Sequence, residues 1–146
     1  MLFIINMRSL TLMVLWMFVL AAGAQQEVKY VVLSIKLPRG IVATQGSWTP
    51  STIDIAKAEV AISQIVSLKA KLASPHIDHP ERYFRQYVPI RQQGRNLLYV
   101  NAFCEAPGYW RTQIVIVDDG GSCYYWQALY DPATDKYSDL TINGRA

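Results

Sequence analysis

The chain has 146 residues, 51% of them hydrophobic, with 14 basic side chains against 11 acidic ones. That length is one domain's worth and enough to bury a core. The balance of charge lacks the dense basic stripe that nucleic acid requires, so no nucleic-acid partner is expected.

The first residues read as an address. Arg8 precedes an apolar run from Leu10 to Leu20, and Ala22-Gly23-Ala24 is the small-residue pattern at which a secretory signal is cut. Residues 1–24 are therefore expected to be a signal peptide and residues 25–146 a single domain beginning at Gln25. Leu2 to Ile5 extends the apolar run, so an uncleaved anchor is the alternative. No cysteine follows the cut site, which argues against a lipid-modified form, and no later run is long enough to cross a bilayer. The expectation is a secreted or periplasmic protein with no stable membrane anchor once the signal is removed. Taking 24 residues from 146 leaves 122, and taking Arg8 from the 14 basic residues leaves 13 against 11, a net charge of +2.

Val28 to Leu37 comes next, with Val31, Leu33, Ile35 and Leu37 apolar in alternation around Ser34 and Lys36, the pattern of a half-buried strand. Pro38-Arg39-Gly40 stops it, and Ile41 to Trp48 reads as a loop. Thr49 has the chemistry of an N-cap and Pro50 that of a first helical residue. The helix that follows is expected to run to Ala73. Ile55, Ala58, Ile62, Ile65, Val66 and Leu72 fall on one side, while Lys57, Glu59, Ser63, Gln64 and Lys71 fall on the other. Ser74 to Pro80 then makes a stiff linker.

From Tyr83 to Ile142 the period is close to two. Phe84, Gln86, Val88 and Ile90 share one face of a strand and Tyr83, Arg85, Tyr87 and Pro89 the other. Pro89 cannot donate to a ladder, which places that end of the strand at an edge or a bulge. Gln93-Gly94 turns the chain into a second strand over Leu97 to Cys104, which Pro107-Gly108 ends. The β-branched run Ile114-Val115-Ile116-Val117 predicts a central strand over Arg111 to Val117, closed by a hairpin turn at Asp118-Asp119-Gly120-Gly121. Tyr124 to Tyr130 is a further strand with large groups on both faces. A turn over Asp131 to Lys136 leads to a last strand, Tyr137 to Ile142, before Asn143-Gly144.

One strand, one long amphipathic helix and an antiparallel meander predict an α+β fold in which the helix lies across one face of the sheet. That order of elements resembles the cystatin-like roll, and Gln86-Tyr87-Val88-Pro89-Ile90 resembles the Gln-x-Val-x-Gly loop of cystatin protease inhibitors in its place after the helix. Ile90 stands where that loop has glycine, and Tyr109-Trp110 where the second loop has Pro-Trp. The resemblance thus implies the fold rather than the inhibitory edge. The phrasing Asn101-Ala102-Phe103-Cys104, Asp119-Gly120-Gly121 and Asn143-Gly144 also resembles small exported bacterial proteins, which implies no activity.

Chemical signatures are weak. His76, Asp78, His79 and Glu81 are metal-ligand types, but His-x-Asp-His between prolines matches no regular ligand pair and reads as a solvated loop. Asp118 to Gly121 lacks the further oxygen ligands that calcium wants. Ser47, Ser122 and the histidines form no nucleophile motif. A non-enzymatic chain with no cofactor and no metal is expected. Export favours a disulfide between Cys104 and Cys123, whereas an intervening Arg111 to Val117 strand would hold them at opposite ends of the sheet, beyond the ~7 Å Cα limit, so the expectation leans to unbridged thiols.

Tyr99, Phe103, Tyr125, Trp126 and Tyr130 exceed what one helix can cover. Tyr124, Trp126, Ala128 and Tyr130 are assigned to the helix side, where Ala128 lets a helix approach closely, and Tyr125 with Gln127 to an open side. Arg82, Arg85, Arg91 and Arg95 form a basic cluster suited to docking by charge. The functional expectation is an exported protein-binding module whose candidate contacts are Tyr125, Gln127, Arg85, Arg91 and Arg95, its partner another protein. The alternative is a carrier holding a small apolar ligand between helix and sheet.

Overall fold

The computed structural model describes residues 27–70, 76–116 and 123–143. The expected signal peptide and cut site, the end of the predicted helix at Leu72 and Ala73, the Asp118 to Gly121 turn, Ser122 and Gly144 lie outside the described residues. Among the described residues five strands form one sheet in sequence order: β1 (Tyr30–Val32), β2 (Phe84–Gln92), β3 (Arg95–Phe103), β4 (Tyr125–Asp131) and β5 (Lys136–Asn143). β1 runs parallel to β2, and each later pair is antiparallel.

The expectation of a sheet crossed by one long helix, a cystatin-like roll, is corrected here: the described residues are mainly β, with little helix. The helix α1 spans only Thr52–Val60 and tightens into a 3-10 stretch, Ala61–Ser67, after which Leu68 is extended. It also starts later than Thr49. Ser51 is the N-cap, accepting from the Asp54 N–H while the Asp54 carboxylate accepts from the Ser51 N–H at 2.7 Å, a capping box that satisfies two orphan donors. Beyond Val60 the residues Ile62, Ile65 and Val66 are β-branched, and Ser63 and Ser67 compete for backbone bonds, so nothing local favours continued α-helix. The predicted stripe still packs inward, since Ile55, Ala58, Ile62 and Ile65 are buried. Each buried isoleucine contributes about 1.5–3 kcal/mol.

The sheet's alternation divides it into two faces. Tyr87, Leu98, Val100, Ala102, Trp126, Ala128 and Tyr130 meet the helix, so the helix-side assignment of Trp126, Ala128 and Tyr130 agrees with their packing, with Tyr124 half-buried beside them. On the outer face Val88, Ile90, Leu97, Tyr99 and Leu129 cluster with Leu33 and Leu37, while Phe103 and Tyr125 cluster with Trp110 and Val115. Among the described residues this face has no helix, and the segments that follow β1 and β3 cover part of it.

Proline and turn signals act where expected. Gln93 and Gly94 have φ of 52° and 74°, the paired left-handed residues of a two-residue hairpin turn between β2 and β3. Arg85 and Arg91 donate their N–H groups away from β3, to Lys29 O and Gly46 O, so Pro89, of the same parity, turns its missing donor to that side. There it falls in the gap between the end of β1 pairing at Tyr87 and the Gly46–Arg91 bridge.

The predicted central strand over Arg111 to Val117 does not form among the described residues. β3 pairs directly with β4, Asn101 facing Gln127 and Tyr99 facing Leu129, which leaves no ladder position between them. The segment instead turns at Tyr109–Thr112 and crosses the outer face of the sheet as far as Ile116. With that strand removed from the meander the geometric objection to a disulfide disappears. Cys104 and Cys123 are bonded with their Cα atoms 6.3 Å apart, closing the excursion at its base.

Candidate functional site

A row of polar side chains crosses the outer face. Gln86, Asn101, Gln127 and Thr141 are register partners on β2, β3, β4 and β5, so strand pairing alone lines them up. Their neighbours on the same face are apolar: Phe84 and Val88 flank Gln86, and Tyr99 and Phe103 flank Asn101. Gln86 and Asn101 are buried, and a buried amide must be hydrogen-bonded. They are satisfied by the excursion. Gln86 Nε2 donates to Trp110 O at 2.5 Å and Gln113 O at 2.7 Å, and Gln86 Oε1 accepts from Val115 N at 2.9 Å. Asn101 Nδ2 donates to Gln86 Oε1 at 3.0 Å and to Val115 O at 2.8 Å. A segment that cannot join the ladder thus pairs its backbone with side-chain amides.

The other half of the row opens into a cleft of about 490 Å³. Strand residues Tyr99, Asn101, Gln127, Leu129 and Thr141 form its floor, Ile41–Val42 and Ile114–Ile116 its walls, and Arg95, Asp139 and Asn143 also line it. Asp139 has φ of 56° where the β4–β5 register slips opposite Gln127 and Leu129, a bulge at the cleft's edge. Gln127 donates through Nε2 to Asn101 Oδ1 at 3.3 Å. The lining presents hydrogen-bonding groups, the charges of Arg95 and Asp139, and apolar contact.

The five sequence-predicted contact residues are not brought together. Gln127 and Arg95 line the cleft, and Arg95 also reaches Asp131 at 3.5 Å. Arg91 is exposed near the β2–β3 turn and donates to Asn96 Oδ1 at 3.2 Å. Tyr125 is on the outer face as assigned but is buried with Phe103, Trp110 and Val115, because the excursion lies over it.

Arg85 is on the opposite face, 6% exposed, in a bidentate pair with Glu59: Nε to Oε1 at 2.8 Å and Nη2 to Oε2 at 2.7 Å. Its Nη1 donates to the carbonyls of Glu81 at 3.2 Å and Tyr83 at 2.5 Å. Burial alone would lower the Arg85 pKa, and the Glu59 carboxylate reverses this, holding the guanidinium above its ordinary value. The Tyr87 hydroxyl also donates to Glu59. Burial first, then Tyr137 and Glu59, pushes the Tyr87 hydroxyl well above the usual tyrosine range. Glu59, placed on the outer side of the helix by spacing, is instead the acceptor at the centre of a packing network.

The histidines lie elsewhere. His76 Nε2 sits 3.5 Å from Asp78 and His79 Nδ1 3.2 Å from Glu81, all four side chains more than half exposed. Among the described residues no cluster of three or more histidine, cysteine or carboxylate groups is placed to hold a metal ion, and no helix is long and apolar enough to cross a membrane. Gln86 to Ile90 lies within β2 rather than in a loop.

Sequence reasoning missed Gln86, Asn101 and Thr141. The available signal was a polar side chain at an inward position of an otherwise apolar strand face, as in Tyr99-Val100-Asn101-Ala102-Phe103. No protein-family model, no curated protein and no solved structure matches this chain.

Proposed function

We propose that this chain is an exported, non-enzymatic module that binds another protein through the cleft on the outer face of its sheet. The observation that carries the reading is the cleft itself: an open, half-polar depression whose lining combines Tyr99, Leu129 and Ile116 with the Gln127 amide and the Thr141 hydroxyl. Apolar contact with a few fixed hydrogen-bonding groups is the composition of a recognition surface. A ligand between helix and sheet would have to displace Trp126, Tyr87 and Tyr130, which are fully buried there. The Cys104–Cys123 bond suits an oxidising compartment and is consistent with export.

The test is site-directed photo-crosslinking of the full chain in its producing cell. A crosslinkable residue at Thr141 or Ile116, both lining the cleft, is expected to trap one partner that the same residue at exposed Lys69 does not trap. Equal capture from Lys69, or none from either cleft position, overturns the proposal.

A further inference from the structure

The polar row holds its own record of what it binds, because half of it is already occupied. Over β2 and β3 the occupant is a piece of this same chain that lies outside the ladder and offers its backbone to the row. Gln113 O, Val115 N and Val115 O are each held by an amide of Gln86 or Asn101, at 2.7, 2.9 and 2.8 Å. The amides act here as a ladder turned on its side: a carboxamide offers one acceptor and two donors, which matches the N–H and C=O groups of a passing backbone. Val115 meanwhile buries its side chain with Phe103 and Tyr125.

Over β4 and β5 the row continues uncovered among the described residues. Gln127 and Thr141 are only half-buried, and both line the cleft. Strands sit about 4.8 Å apart, so Gln127 and Thr141 repeat the interval between Gln86 and Asn101. Gln127 spends an N–H on Asn101, which leaves its carbonyl oxygen to accept a backbone N–H, and the Thr141 hydroxyl can donate to a backbone carbonyl. Tyr99 and Leu129 beneath, with Ile114 and Ile116 as a wall, offer apolar seats for alternate side chains.

We infer that the occupant of the cleft is an extended segment of a partner polypeptide, held by its backbone on Gln127 and Thr141 in the way that Gln113–Val115 is held on Gln86 and Asn101; this rests on the protein-binding reading above. Recognition through the backbone makes the site tolerant of sequence, with preference confined to apolar residues at alternate positions.

The probe is a phage-displayed library of random dodecapeptides panned on the full chain and counter-selected on Thr141→Trp, which fills the cleft from a half-exposed position. Enriched peptides are expected to alternate apolar residues and to lose affinity about tenfold on Thr141→Trp. A similar loss is expected when the backbone amide facing Gln127 is N-methylated, since one hydrogen bond is then removed. The Gln127 side-chain amide resonance should shift on binding while that of Gln86 does not. Peptides that bind Thr141→Trp equally well, an N-methyl group without effect, or a glycan array that engages the cleft in place of peptides would each overturn the inference. If Thr141 crosslinks a partner but no peptide is enriched, protein binding stands and the extended segment falls; if neither is seen, both fall.

Discussion

Removal of the Glu59 carboxylate should cost about 3 kcal/mol, and the figure follows from the donors it leaves behind. Glu59 accepts from Arg85 Nε, Arg85 Nη2 and the Tyr87 hydroxyl, three groups with almost no access to water. Each unsatisfied donor costs about 1 kcal/mol or more, which puts Glu59→Ala near the lower end of the 3–5 kcal/mol typical of a broken buried pair. The lower end applies for two reasons. Arg85 Nη1 keeps its carbonyl acceptors, and the Glu59 side chain is itself 23% exposed, so water can enter as the carboxylate leaves. For a domain of this size the loss corresponds to a fall in Tm of about 10 °C. Urea unfolding of Glu59→Ala measures the cost directly. Glu59→Leu combined with Arg85→Met then separates charge from packing: with both charges gone, stability should return to within about 1 kcal/mol of the parent. A loss below about 1 kcal/mol in the single variant, or a double variant no better than the single, would refute the buried-pair account.

Breaking the Cys104–Cys123 bond, by reductant or by Cys104→Ala with Cys123→Ala, should cost about 3 kcal/mol in urea unfolding, given a sequence separation of 19 residues. Trp126→Ala and Tyr125→Ala should each cost about 3–5 kcal/mol, since both side chains are buried, on opposite faces; a mild Tyr125→Ala would mean that the excursion does not cover it. Tyr87, Tyr99 and Tyr137 have pKa values raised, chiefly by burial, above the ordinary 10.0. Their protonated form is therefore favoured in the fold, so stability is fully present below pH 10 and falls as the pH rises above it, where the unfolded chain releases protons that the native one retains. Absorbance of tyrosinate should show these three ionising only with unfolding, and early titration of all nine tyrosines would contradict the burial.

What the sequence made legible was local and periodic. The alternation through Phe84 to Ile90, the Gln93-Gly94 turn and the inward stripe Ile55, Ala58, Ile62 and Ile65 each depend on residues a few positions apart, and each is found where its pattern places it. Two readings failed for a common reason. The run Ile114-Val115-Ile116 favours extended backbone, but β propensity does not say whether a ladder or a side chain will pair with it, and here Val115 bonds to side-chain amides. The helical stripe is continuous to Leu72, yet hydrophobic spacing does not distinguish α-helix from a 3-10 stretch that buries Ile62 and Ile65 equally well. Charge was the least legible. Arg85 and Arg91 have the same parity on one strand, yet Arg85 is buried against Glu59 and the carbonyls of Glu81 and Tyr83 while Arg91, near the turn, is exposed.

Gln86 and Gln127 show why the site could not be separated from the core in one dimension. Both are glutamines on the outer face, in one register row with Asn101 between them, and each exchanges an amide hydrogen bond with it. They differ in what lies above. The excursion closed by Cys104–Cys123 must leave the sheet after β3 and return to begin β4, and its route takes Trp110 to Val115 over Gln86 and Asn101 before it can come back. Residues under the route become structural, since unsatisfied they would cost more than their bonds return. Residues beyond it keep the same hydrogen-bonding groups without that obligation. Among the described residues the excursion thus covers only half of the row, and under the proposed reading the covered half fixes the wall, Ile114–Ile116, against which an incoming segment would pack.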